Sequence, residues 1–192
     1  MSNAYIEHDR RQSPRVACQV ALTQRPISED EFTEQLEHFD AHRHRLVLLD
    51  SIVHPPQREI EQFMAVQKRD ADVAALLEGM STKLEALGRL VMQPEEQLAT
   101  RPTHNVVMSA TGMQFHAPIQ YGKGHPLDLQ FRLFPSRRRI VVLAEVVSCR
   151  EGSGSNHAIA VSFTFISDED RQFLREFVEA QLKSTDGGGR DD

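Results

Sequence analysis

The chain has 192 residues, 40% of them hydrophobic, with 22 Lys and Arg against 28 Asp and Glu and a formal net charge of −6. That apolar content supports a buried core and excludes a wholly disordered chain; the length suits one domain, or one small domain carrying an insertion. The acidic total argues against a sequence-independent binder of nucleic acid, and no apolar run approaches the roughly eighteen residues of a membrane span.

Met1 to Arg15 is polar and charged, which predicts no secretory leader. Cys18 and Cys149 form neither a CxxC pair nor a disulfide framework, so a reducing cytoplasm is the expected setting, with both thiols packed inside strands. Val16 to Leu22 is short, β-branched and alternating, which predicts a strand ended by Gln24-Arg25-Pro26.

From Ser28 to about Thr100 the pattern is helical. Ser28 and Glu31 have the spacing of a capping box, and Glu29 and Asp30 suit the positive end of a helix dipole. Phe32, Leu36, Phe39, Leu46, Leu49 and Val53 then recur at helical spacing with one wider gap, until Pro55-Pro56 breaks the helix. A second helix is expected from Gln57 to Met92. Phe63, Asp70, Leu77, Leu84 and Val91 fall at heptad a positions and Val66, Val73, Met80 and Leu87 at d, with Asp70 alone interrupting the seam. Leu76 and Leu90 fall at g and widen the stripe, which predicts more than two helices around one axis. Two arrangements satisfy this pattern. One is an intramolecular hairpin in which the first helix covers the stripe; the other is a dimeric or tetrameric bundle through the Phe63–Val91 heptads.

Past Arg101-Pro102 the chain returns to strand patterns. His104 to Ser109, Gly112 to Pro118, Leu127 to Phe134, Ile140 to Cys149 and His157 to Phe165 are separated by turn-forming residues. With the first strand they predict six strands in a small closed barrel, hence an α+β fold. Ser167-Asp168-Glu169-Asp170 then opens a last helix carrying Phe173, Leu174, Phe177, Val178 and Leu182. Residues 184–192 are expected to be a disordered tail.

Two constellations could carry chemistry. Arg10-Arg11-Gln12-Ser13-Pro14-Arg15 places three guanidinium groups just ahead of the first strand, able to bind phosphate in bidentate fashion or to pair with guanine; alone it is equally a solvated basic arm. Met108-Ser109-Ala110-Thr111-Gly112-Met113-Gln114-Phe115 sits at a strand-to-strand junction, with the Ser109 hydroxyl near a tight turn and Gly112 permitting close backbone approach; alone it is an ordinary turn.

In this order, at the start of a small barrel, the two resemble the motifs of the PilZ domain, the bacterial receptor module for cyclic di-GMP. Arg11 to Arg15 matches that family's RxxxR with Arg10 as the extra arginine, and Ser109 to Gly112 matches the latter part of (D/N)xSxxG. The resemblance extends over residues 103–182 and leaves 28–100 as an insertion. It implies a six-stranded antiparallel PilZ-like barrel from residues 1–26 and 102–183, interrupted by a helical oligomerisation insertion at 27–101. It further implies a non-catalytic regulator that takes cyclic di-GMP as ligand through Arg10, Arg11, Arg15, Ser109 and Gly112. No metal, nucleic acid or membrane insertion is expected, and the output passes to a downstream protein that the sequence does not name.

The family's Asp/Asn falls at Val107, which cannot accept from guanine N–H groups. One such lost contact typically costs about 1–3 kcal/mol. The alternative is therefore a divergent oligomeric scaffold that has lost the nucleotide and acts through protein contacts.

Other groupings are weaker. His38 and His42, with Glu34 one turn earlier, have metal-ligand spacing but lack the glutamate of HExxH; they read as solvated helix residues. Arg137-Arg138-Arg139 resembles a nucleic-acid patch but follows Pro135-Ser136, as a charged hairpin turn does. The charge also divides unevenly. Residues 27–101 hold 8 basic and 15 acidic side chains and residues 168–192 hold 4 and 8, leaving 10 and 5 on the barrel and its arm, a basic surface suited to a small dianion.

Overall fold

The computed structural model describes residues 13–152 and 156–186. Six strands, β1 (Val16–Pro26), β2 (His104–Ser109), β3 (Gly112–Ala117), β4 (Pro126–Leu133), β5 (Arg139–Glu151) and β6 (His157–Phe165), close into a barrel in the order β1-β2-β3-β6-β5-β4. Every neighbouring pair is antiparallel. The predicted α+β fold and its six strands are observed. One boundary differs: β1 continues past Leu22 to Pro26, pairing Gln24 with Leu129 and Pro26 with Leu127. Proline is tolerated there because it stands at the strand's last position.

Alternation makes the core. Val20, Leu22, Met108, Phe115, Leu129, Phe131, Val142 and Ile159 point inward and are buried. The C-terminal helix, α5 (Asp168–Asp186), supplies Leu174 and packs Phe173 and Phe177 against the same cluster. Ser167 Oγ accepts from the amide of Asp170 at 3.2 Å, as the capping signal predicted. Helix α5 runs three residues into the stretch assigned to the tail; the rest of that tail lies outside the described residues.

Between β1 and β2 come α1 (Glu29–Glu37), α2 (Phe39–Val53), α3 (Gln57–Arg69) and α4 (Ala71–Val91). The capping box is complete: Ser28 Oγ accepts from the Glu31 amide and Glu31 Oε2 accepts from the Ser28 amide. The two long helices expected from the periodicity are each divided. The first is broken at His38. The second is broken at Asp70, whose backbone is extended and whose carboxylate accepts from the amides of Asp72 and Val73. The residue that interrupts the heptad seam is therefore an N-cap, and the continuous coiled-coil helix is replaced by two.

Helix α2 lies on the outer face of β4 and β5. Phe39 and Leu46 join Ile27, Val141 and Leu143 in a second apolar cluster, and Phe39 meets Phe165 edge to face at 4.8 Å. Charged groups complete this contact. Asp50 accepts from both Arg132 and Arg139, while Arg139 also donates to the Glu96 carbonyl at 2.6 Å. Arg43 Nε donates to Asp170 Oδ2 at 2.6 Å. Burial alone would raise the Asp170 carboxyl; the Arg43 and Arg138 guanidiniums and the Ser167 hydroxyl outweigh it and hold it below the usual range. The arginine turn is spent inside the chain as well, since Arg138 bonds Asp170 and Glu169 and lies 4.6 Å over the Phe173 ring, and Arg139 is buried.

Helix α4 meets α2 along a line of small residues. Ala74 and Gly88 are buried, and a Cβ at Gly88 would lie 3.0 Å from Val53 Cγ2. The heptad stripe faces the other way: Val73, Leu76, Leu77, Met80, Leu84, Leu87, Leu90 and Val91 are exposed, Leu90 to 81%. The expectation that the first helix covers this stripe is not met within one chain.

Candidate functional site

The β2–β3 hairpin turns through Ala110-Thr111, with Ser109 paired to Gly112. Ser109 Oγ accepts from the Thr111 amide at 3.2 Å and lies 3.4 Å from the Gly112 carbonyl, so this hydroxyl, only 5% exposed, closes the turn. Gly112 permits the approach of β6: a Cβ there would overlap the backbone oxygen of Val161. Both residues thus have a local reason to be present before any ligand is considered.

Beside this turn the outer barrel wall bears a cavity of about 110 Å³, lined by Arg15, Val107, Ser109, Gly112, Gln114 and Ser162 among others. Arg15 stands one residue ahead of the Val16–Met108 pair, which sets it next to Ser109. Three of the five predicted site residues, Arg15, Ser109 and Gly112, are therefore brought together. Arg10 and Arg11 lie outside the described residues. Val107 lines the same cavity at 39% exposure, so the position that departs from the family motif is at the site.

Chemically the cavity offers one guanidinium, hydroxyls, a primary amide and a flat aliphatic wall, with no carboxylate, histidine or cysteine among its described lining residues. Such a surface can bind an anionic heterocycle; it holds no nucleophile paired with a base. A larger cavity, about 350 Å³, opens between α2, α4 and residues 97–100, remote in composition from the arginine motif, with His54, Arg89 and apolar walls.

The remaining candidates resolve elsewhere. His38 lies at the break between α1 and α2, and His42 is half-buried on α2. Burial lowers the His42 pKa from its ordinary 6.5, against the opposing pull of Asp128. Among the described residues no three His, Cys, Asp or Glu side chains converge as metal ligands. Both cysteines are free and pack against the core at partial exposure, and burial pushes the Cys18 thiol up to about 11, far from a reactive thiolate. No described helix is long and apolar enough to cross a membrane.

The sequence assigned no role to Thr111 or Gln114 within that junction and none to Ser162, and strand register brings all three to the cavity. The signal was present: a two-residue turn after Ser109 sets Val107 opposite Gln114.

Comparison with known proteins agrees with this architecture. The PilZ domain family model matches residues 87–180, a stretch that begins near the end of α4 and contains β2 to β6; β1 falls outside it, separated by the helical segment. No curated protein matches the chain. Among solved structures, a tetrameric PilZ-domain protein from Xanthomonas campestris, self-assembled through a helical bundle, is 13% identical and aligns over 92% of each chain with a TM-score of 0.50. The inhibitor of motility of Bacillus subtilis is 14% identical over 48% of this chain and 56% of its own, with a TM-score of 0.38, too distant to define shared architecture. With the family match laid over a closed six-stranded barrel and its C-terminal helix, the chain carries a PilZ domain, a regulatory domain of the cyclic di-GMP-binding type.

Proposed function

We propose that this protein is a cytoplasmic cyclic di-GMP-binding regulator, a receptor and not an enzyme, in which an N-terminal arginine arm folds over the barrel wall. The observation that carries this reading is the convergence of Arg15, Ser109 and Gly112 on one cavity of a PilZ domain. At about 110 Å³ the cavity accommodates part of one base and not a whole dinucleotide. Arg10 and Arg11 are then the groups assigned to the phosphates and the second base, by paired guanidinium hydrogen bonds and stacking.

Helices α3 and α4 are the assembly module of this reading, joining two or four copies. The exposed stripe on α4 supports it. The tetrameric PilZ-domain protein of Xanthomonas campestris uses a helical bundle for its own assembly. Residues 1–26 and 102–183 form the receptor, 27–101 the insertion, and closure of the arm is the signal passed to a downstream protein.

Calorimetric titration with cyclic di-GMP tests this directly. Wild type should release or absorb heat at micromolar protein, and Arg11→Ala and Arg15→Ala should each weaken binding at least tenfold. Absence of heat, or indifference to both substitutions, refutes it. The second reading, an assembly scaffold without the nucleotide, is favoured by Val107 and by the engagement of the Ser109 hydroxyl in its own turn.

A further inference from the structure

The reading above leaves one chemical gap: Val107 stands where a guanine-reading acceptor is expected. Strand register shows what surrounds it. Val107 is paired with Ala17 on one side and Gln114 on the other, and Gln114 is paired in turn with Ala160. Residues directly opposite in antiparallel strands share a face, with Cβ atoms about 4.5–5.5 Å apart. The row Ala17, Val107, Gln114, Ala160 is thus a low aliphatic platform from which a single polar side chain rises.

Gln114 is exposed and lines the same cavity as Arg15 and Ser109, and its side-chain amide makes no hydrogen bond to another described residue. Its side chain is one methylene longer than asparagine, long enough to span the cross-strand distance to the position held by Val107. It also carries both kinds of group that a guanine edge requires. Oε1 can accept from the guanine N1–H or amino group, and Nε2 can donate to O6. Turned over, the same amide can also meet the donor and acceptor of an adenine edge, so Gln114 supplies a base contact and not the choice between the two purines. A side chain already committed to a partner would have to break that bond first; this one is free to bind.

We propose that Gln114 is the base-contacting residue at this site, replacing across the strand pair the acceptor absent at position 107. This rests on the cyclic di-GMP reading, and the test separates the two.

Affinities for cyclic di-GMP and cyclic di-AMP are measured by calorimetry for wild type, Gln114→Ala, Arg15→Ala, Val107→Asn and the double variant Val107→Asn with Gln114→Ala. Melting curves verify that each is folded, which the exposure of positions 107 and 114 favours. Wild type should prefer cyclic di-GMP. Gln114→Ala should lose about ten- to hundredfold for that ligand, the scale of one lost hydrogen bond to a base. Adding Val107→Asn to it should restore that affinity. If Arg15→Ala weakens binding and Gln114→Ala does not, the cavity is right and the role of Gln114 is overturned. If wild type is silent while Val107→Asn binds, Gln114 has failed as a replacement. Silence from wild type and Val107→Asn alike overturns the cyclic di-GMP reading and this inference with it.

Discussion

Helices α2 and α4 make opposite use of a heptad face. The face of α2 runs through Phe39, Arg43, Leu46, Asp50 and Val53, all buried, although two of the five are charged. The face of α4 is almost wholly apolar, and within one chain it meets solvent. The polar-interrupted helix is fastened to its own barrel, while the cleanly patterned helix is left open. Apolar periodicity thus reports that a face is destined for burial, but not which chain buries it. Charge supplies the missing specificity on α2: Arg43 and Asp50 fit only where Asp170, Arg132 and Arg139 stand ready to receive them.

That contrast can be broken most sharply at Asp50. Its removal in Asp50→Ala leaves Arg132 and Arg139 buried without their carboxylate, which should cost about 3–5 kcal/mol and lower the urea midpoint of the whole barrel. An unchanged midpoint would mean that α2 is not held by this pairing. A smaller effect is expected where the two helices touch each other. Gly88→Val places a side chain against Val53 and Ile52, at a cost of about 1–3 kcal/mol in thermal or urea unfolding. The same substitution at the exposed Gly79, where nothing stands within 4 Å, should cost nothing and gain a few tenths of a kcal/mol, because valine is a better helix former than glycine.

The pH response sharpens the comparison further, because His42 belongs to the α2 side. Burial favours its neutral form in the folded protein, so the unfolded chain binds the proton more readily. Its contribution is complete above the ordinary pKa of 6.5 and is lost as the pH falls below it. Melting temperature should therefore decline from pH 7.5 to 5.5, with a shallower decline in His42→Gln. Some slope should remain, since burial lowers His54 and His104 in the same sense.

How much of this could be read beforehand follows from the same physics. The barrel strands were legible because alternation and turn residues are local signals, and the capping box at Ser28 and the cap at Ser167 are encoded within four residues. The face of α2 was not. Arg43 produced the wider gap between Phe39 and Leu46, and a charged residue looks like an interruption until its distant partner is seen. The break at Asp70 was equally ambiguous, because an acidic residue at an a position can be a buried register mark or a helix cap, and backbone conformation decides.

The charge partition was legible in size but not in use. The basic excess of the barrel suggested a surface for a dianion. Arg132, Arg138 and Arg139 instead meet acidic groups of α2 and α5, leaving Arg15 as the described arginine that lines the cavity. At the site, Arg15, Ser109 and Gly112 could be named from motif spacing, whereas Gln114 required the register that pairs it with Val107.

The division of labour between the two helices rests on the open face of α4, and the mass of the particle in solution tests it most directly. Light scattering on wild type should give two or four times the 21.8 kDa of one chain. Leu84→Glu combined with Leu87→Glu should return the mass to one chain that stays folded, because within one chain both side chains are exposed. A wild type that scatters as a single chain, at concentrations where the barrel is folded, would contradict the account.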